Sequence, residues 1–213
     1  MRLPSPLTEY SINLREIHMQ ESTPLGAIHQ SVIEFLRGRD DVIIFGAQAV
    51  NSYVDIPRMT QDVDLLATCG KQIADELCLH LHQQFQIAVR VRTVAGGIGF
   101  RVYQIRSPTN RHLVDIRQVA ELPAFHEIDG VKIIQPVELM AMKVMSAVAR
   151  PNTPKGLTDE ADLLRLCLAF PELKSGQGKV LNALNRLAAN DNALHFWQQL
   201  AARNIQPEVD DQY

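Results

Sequence analysis

Phe45-Gly46-Ala47-Gln48-Ala49, then Asn51-Ser52-Tyr53, then Pro57-Arg58-Met59-Thr60-Gln61-Asp62-Val63-Asp64-Leu65 is the stretch that decides how this chain is read. Before it, Asp41-Val42-Ile43-Ile44-Phe45 is a short apolar run closed by Gly46, the pattern of a buried strand. Ala47 to Tyr53 suits a short helix directly after that strand. Asp62 to Ala67 reads as a second strand, with Asp62 and Asp64 on one face and Val63 and Leu65 on the other. Two carboxylates on alternate strand positions lie about 7 Å apart. They repel each other and need solvent, cationic side chains or a metal to compensate them. A glycine at a strand-to-helix junction lets phosphate approach the backbone, and free N–H groups beyond it are donors. Arg58 and Thr60 stand just before the acidic strand, where a guanidinium and a hydroxyl would engage a triphosphate.

Further along, Leu113-Val114-Asp115-Ile116 sets a lone carboxylate among β-formers. On a strand beside the first pair, Asp115 completes a triangle of hard oxygen ligands suited to Mg²⁺ or Mn²⁺. Two such ions about 3.5–4 Å apart would activate an attacking oxygen and stabilise a leaving one. The plain alternatives are a solvated strand face for Asp62 and Asp64, a strand-end aspartate for Asp115 and a turn glycine for Gly46.

The remaining periodicity predicts a helix up to about residue 37, capped by Thr23 with Pro24 in its first turn. An amphipathic helix is expected over 70–84, and strands over 86–94, 98–106 and 112–117. A small hairpin turns at Asp129-Gly130. After Gln135-Pro136 the period is helical throughout, with helices near 136–149, 158–169, 176–189 and 192–203. The expected class is α/β (α+β): a mixed sheet flanked by helices, then a C-terminal helical lobe. The divisions are an arm over 1–22, a sheet domain over 23–135, a helical lobe over 136–206 and a flexible tail over 207–213.

A chain of 213 residues with 46% apolar and 21% charged residues has the composition of a soluble globular protein. Its net charge of −3 implies no long-range basic field, so nucleic-acid contact would need a local patch. Arg90, Arg92, Arg101 and Arg106, on neighbouring predicted strands, form the candidate strip, although exposed strand arginines are common. Cys69, Cys78 and Cys167 show no metal spacing and read as buried, reduced thiols. The N-terminal MRLPSPLTEYSINLREIHMQ has no signal-peptide core, and no apolar run reaches membrane-span length. Cytoplasmic residence is the expectation. His80 and His82, two apart on a helix, face different directions and make a poor metal pair. Gly96-Gly97-Ile98-Gly99 joins strands and reads as a turn, not a phosphate cradle.

The pattern around residues 45–65 resembles the nucleotidyltransferase superfamily that includes polymerase beta. It is most similar to the minimal, AbiEii-like branch found in toxin–antitoxin and phage-defence loci. That family has a strand ending in Gly-Gly, Gly-Ser or Gly-Ala, a short helix, Arg-x-Thr, then Asp-hydrophobic-Asp and a later strand aspartate. Here Phe45-Gly46-Ala47, Arg58-Met59-Thr60, Asp62-Val63-Asp64 and Asp115 take those places. Glu138-Leu139-Met140-Ala141-Met142-Lys143, Arg150, Lys155 and Asp159-Glu160-Ala161-Asp162-Leu163 resemble the family's later Lys…Arg…Lys-Asp-x-x-Asp-Leu segment. The likeness runs over about residues 42–166. One position departs from it: Ala47 stands where many active members carry Gly or Ser, and its side chain cannot donate to phosphate.

The resemblance implies a catalytic and metal-binding set of Asp62, Asp64 and Asp115, with Asp115 also helping to deprotonate an acceptor hydroxyl. It implies nucleotide contacts from Gly46, Ala47, Arg58, Thr60 and Lys143. The reaction would move a nucleoside monophosphate from an NTP to an RNA 3′ end or a protein side chain, with a cognate partner protein in a toxin–antitoxin setting. By plain physical reading, Lys143 is equally a solvated helical lysine, and Arg150 and Lys155 are loop charges. Asp159 and Asp162 read as capping and first-turn acids of a helix that follows Gly156-Leu157-Thr158. Two other functions fit the same residues: a non-catalytic nucleotide-binding or antitoxin-like protein, and a metal-dependent phosphohydrolase.

Overall fold

The computed structural model describes residues 24–207. The arm, the Thr23 cap and the tail beyond 207 lie outside the described residues. The described residues open with α1 (Leu25–Leu36), β1 (Val42–Phe45), α2 (Gly46–Asn51), β2 (Val63–Ala67) and α3 (Gly70–Phe85). There follow β3 (Val89–Val94), β4 (Gly99–Gln104), β5 (Arg111–Gln118) and the hairpin β6 (Phe125–Ile128) and β7 (Val131–Ile134). The last part is helical: α4 (Pro136–Ala149), α5 (Pro154–Ala169), α6 (Lys179–Arg186) and α7 (Asp191–Ala202).

The seven strands form one mixed sheet in the order β3-β4-β5-β2-β1-β7-β6. Its centre joins β5 and β2 in parallel, β2 and β1 antiparallel, and β1 and β7 in parallel. Alternation separates the two faces. Val63, Val102 and Val114 pair across neighbouring strands and are fully buried on the side where α3 packs. The residues one step along, Arg101, Asp115 and Asp64, therefore point to the opposite side. On that side α4 packs on α2 and on α5, α6 and α7, so the helical part stands beside the sheet and leaves a cavity between them.

Several boundaries differ from the periodicity. β2 begins at Val63, which leaves Asp62 in the preceding bend. β3 begins at Val89, because Gln86 closes α3 in the left-handed region at φ 55°. α5 begins at Pro154, because the Thr153 hydroxyl caps it by accepting the Gly156 N–H at 3.1 Å. α6 is shorter than expected, with both ends drawn in to Lys179 and Arg186. Among the cysteines only Cys167 is buried; Cys69 is exposed and Cys78 intermediate, which corrects the expectation of three buried thiols.

Candidate active site

Pairing builds the centre of the site. Arg92, Arg101, Asp115, Asp64 and Phe45 are consecutive partners across β3, β4, β5, β2 and β1, so they form one row on the open sheet face. Asp64 and Asp115 are neighbours because β2 and β5 run in parallel and in register there. Asp62 joins them from the bend before β2, and all three line one cavity of about 1190 Å³. That volume is sufficient for a nucleoside triphosphate. Val119, Leu122, Leu139 and Met142 add an apolar wall.

Gly46 has a requirement the sequence did not disclose. Its φ is +69°, and a Cβ placed on it would lie 2.0 Å from Asp64 Oδ2. A side chain there would occupy the space of the carboxylate itself. The glycine thus makes room for an acid, beyond its expected role of admitting phosphate. Ala47 is buried and lines the same cavity.

The three aspartates are held differently. Burial, then the charges of Asp62 and Asp115, push the Asp64 carboxyl up to about 6. Asp62 is held below the ordinary range, chiefly by its hydrogen bond with His112. Its Oδ2 lies 3.0 Å from His112 Nδ1. The His112 ring packs on Tyr103 with centroids 5.0 Å apart. Arg101 Nε donates to Asp115 Oδ2 at 3.1 Å. The described residues contain no group of three or more acids, histidines or cysteines already gathered around one point. The expected triangle therefore shares a cavity, but two of its carboxylates are turned to protein partners. The donor set still suits a hard divalent cation. All three candidate ligands offer carboxylate oxygens, and Asp64 makes no direct ion pair among the described residues, Lys155 and Lys143 acting on it only through space.

Across the cavity, α4 and α5 carry a second cluster. Lys143, 7% exposed, donates to Asp159 Oδ1 at 2.8 Å and to Asp162 Oδ2 at 2.7 Å. Arg58 grips Asp162 through Nε at 2.7 Å and Nη2 at 2.8 Å, and its Nη1 donates to Met59 O. Arg150 Nη2 reaches Asp159 Oδ2 at 2.9 Å. Asp159 and Asp162 are thus buried counter-ions, not the first-turn acids expected from the sequence. Thr60 donates to the Asp62 carbonyl at 2.9 Å, which shapes the bend that presents Asp62. Lys143 carries three N–H donors and Arg58 five, so each keeps donors beyond these bonds. Lys155 is exposed at the rim, makes no ion pair among the described residues and acts through space on both Asp62 and Asp64.

Sequence reasoning did not find the pairing of His112 with Asp62. Nothing local marked it, because the two meet only across the sheet. Arg101 was placed in a basic strip, whereas the register sets it against Asp115. Arg90 and Arg92 of the same strip are exposed on the edge strand β3, a position where charge also guards against edge pairing. His80 Nε2 bonds the Ser31 hydroxyl and His82 Nδ1 the Ile87 carbonyl.

No protein-family model matches the chain, and no curated protein matches it by sequence. Solved structures do. The polyadenylate synthase of Megavirus superposes with a TM-score of 0.58 at 14% identity, over 73% of this chain and 33% of that one. This chain thus spans about a third of that protein's length. A candidate nucleotidyltransferase of Helicobacter pylori gives 0.50 at 11% identity, over 83% of this chain and 91% of that one. JHP933 from Helicobacter pylori gives 0.50 at 12%, over 83% and 88%. At such identities only architecture is compared, and the architecture is that of a nucleotidyltransferase fold.

Proposed function

We propose that the chain is a metal-dependent nucleotidyltransferase that moves a nucleoside monophosphate from an NTP to a hydroxyl acceptor and releases pyrophosphate. The observation that carries this reading is Asp64. It is an acid whose burial and two acidic neighbours raise its carboxyl to about 6, facing a cavity sized for a nucleotide. Excess negative charge arranged in this way is costly without a cation, and perturbed acids in clefts mark functional sites. The neighbouring fold of nucleotidyltransferases is consistent with it.

In this reading Asp62, Asp64 and Asp115 hold Mg²⁺ or Mn²⁺. The cation supplies charge neutralisation to the triphosphate and acidity to the attacking hydroxyl. Gly46 and the Ala47 backbone border the phosphates. Lys155, with the spare donors of Lys143 and Arg58, neutralises phosphate oxygens from the other side. The acceptor oxygen attacks the α-phosphorus, the bond to the β-phosphate bridge breaks, and pyrophosphate leaves. Asp115 takes the hydroxyl proton. The chain's main task is positioning and electrostatic compensation, as is general for phosphoryl-type transfer. The acceptor is an RNA 3′ end or a protein side chain, and a cognate partner protein would place the enzyme in a toxin–antitoxin or phage-defence system of the AbiEii-like kind. Residues 23–135 would form the catalytic domain and 136–206 the lobe that walls the nucleotide.

The test is a Mg²⁺-dependent NTP titration of the wild type and Asp64→Ala, with circular dichroism as the fold control. Abolished metal-dependent binding in a folded variant is expected; unchanged affinity rejects the assignment. Incubating labelled NTPs with cell extract then separates the chemistries. A labelled macromolecule marks transfer, free phosphate marks hydrolysis, and binding without either marks a non-catalytic protein.

A further inference from the structure

The ion pairs lining the cavity fall into two mechanical classes. Asp159 and Asp162 sit in the helical wall, 6% and 0% exposed at their side chains, and are held by several donors each. The removal of a partner from such a pair strands a buried charge, so these contacts persist. The Arg101–Asp115 pair is different. Its side chains are 44% and 30% exposed, and it is joined by one bond at 3.1 Å. A pair this open contributes little to stability. Yet it sits at a decisive place, since Asp115 is the direct register partner of Asp64. The His112–Asp62 contact is less free to move, because the imidazole is packed on Tyr103 and its Nε2 is buried.

We propose that Arg101 is the exchangeable counter-ion of Asp115: it neutralises this carboxylate while no divalent cation is bound, and a cation displaces it. The proposal rests on the metal-centre reading above and adds a positioning residue to it. Arg101 lies in the row between Asp115 and Arg92, with solvent on its open side, so a displaced guanidinium has room to turn outward along the sheet. The exchange explains how the acids coexist without metal while only two of them carry direct partners. Asp115 is paired with Arg101 and Asp62 is bonded to His112, while Asp64 makes no direct ion pair among the described residues.

Nucleotide-free Mn²⁺ titrations at low salt, read from the spin-resonance signal of free aqueous Mn²⁺, test this without any turnover. Arg101→Gln removes the competitor and is expected to bind Mn²⁺ up to about five-fold more tightly than wild type, the ceiling for an exposed pair. Arg101→Lys keeps a competing cation and is expected to stay near wild type. Arg92→Gln removes the same charge one strand farther out, about 5 Å away, and is expected to change affinity less than two-fold. Mn²⁺ affinity in Arg101→Gln equal to or below wild type overturns the proposal. So does an Arg92→Gln gain as large as that of Arg101→Gln, which would be a field effect and not displacement. Asp64→Ala separates the two levels of failure. If wild type binds Mn²⁺, Asp64→Ala does not and Arg101→Gln is no tighter, only the counter-ion role falls. If wild type itself binds no Mn²⁺, the metal-centre reading falls with it.

Discussion

Asp64→Asn is expected to stabilise this protein at alkaline pH while removing the acid on which the proposed chemistry rests. The Asp64 carboxyl stands at about 6 instead of the ordinary 3.8, because of burial first and then the charges of Asp62 and Asp115. The sign follows from proton linkage. Between pH 3.8 and about 6 the folded chain holds a proton that the unfolded chain has lost, so stability declines as pH rises through that window and stays lower above it. The displacement corresponds to about 3 kcal/mol as an upper bound, and to about 1–3 kcal/mol once solvent reaching the cavity is allowed for. Asparagine is nearly isosteric and neutral at every pH, so the variant escapes that loss. For a chain of this size the gain is about 2–12 °C in melting temperature. Thermal unfolding followed by circular dichroism in EDTA at pH 8.0 and at pH 4.8 measures it. The variant should melt higher at pH 8.0, with roughly half that difference at pH 4.8, where the unfolded carboxyl has already lost most of its proton. Addition of Mn²⁺ and NTP should then raise the wild type and leave the variant unmoved. No gain at pH 8.0, or the same gain at both pH values, would refute the reasoning, since the second would indicate packing and not charge. A stabilising substitution at the centre of the site is the usual trade between stability and activity.

Other positions are expected to respond in characteristic ways. Gly46→Ala combines a left-handed φ of +69° with a Cβ 2.0 Å from Asp64 Oδ2, and should lower stability in urea unfolding by about 2–4 kcal/mol. It should also abolish Mn²⁺ binding, because Asp64 must move. Lys143→Met leaves Asp159 and Asp162 short of a buried donor and should cost about 3–5 kcal/mol in the same assay. Burial acts to raise the Asp162 carboxyl, but its bonds with Arg58 and Lys143 outweigh this and hold it below the ordinary 3.8. Its contribution is therefore present above pH 3.8 and lost as pH falls through its folded value. Asp162→Asn should flatten the acid limb of the stability–pH profile, and an unchanged limb would reject that role.

Much of the architecture was legible in advance because it is written in short periods. The apolar run at Val42–Phe45, the alternation through Asp64 and around Asp115, the Asp129-Gly130 turn and the Pro136 helix start all became elements close to where they were read. Errors fell at boundaries set by caps. Thr153 and Pro154 start α5 ahead of Asp159 and Asp162, so these two are not its capping and first-turn acids but the buried counter-ions of Lys143, Arg150 and Arg58.

By itself, then, the sequence determined the strand–glycine–helix unit, the acids on β2 and β5 and the change to helices after Gln135, since each depends on neighbours within a few residues. Tertiary structure alone decided who faces whom. The parallel register of β2 with β5 set Asp115 beside Asp64, and the strand pairing brought Arg101 to Asp115 and His112 to Asp62. It also showed that Gly46 yields its space to a carboxylate, and that Arg58 is tied to Asp162, 104 residues away. Those partnerships depend on distances between segments remote in sequence, which local periodicity does not encode.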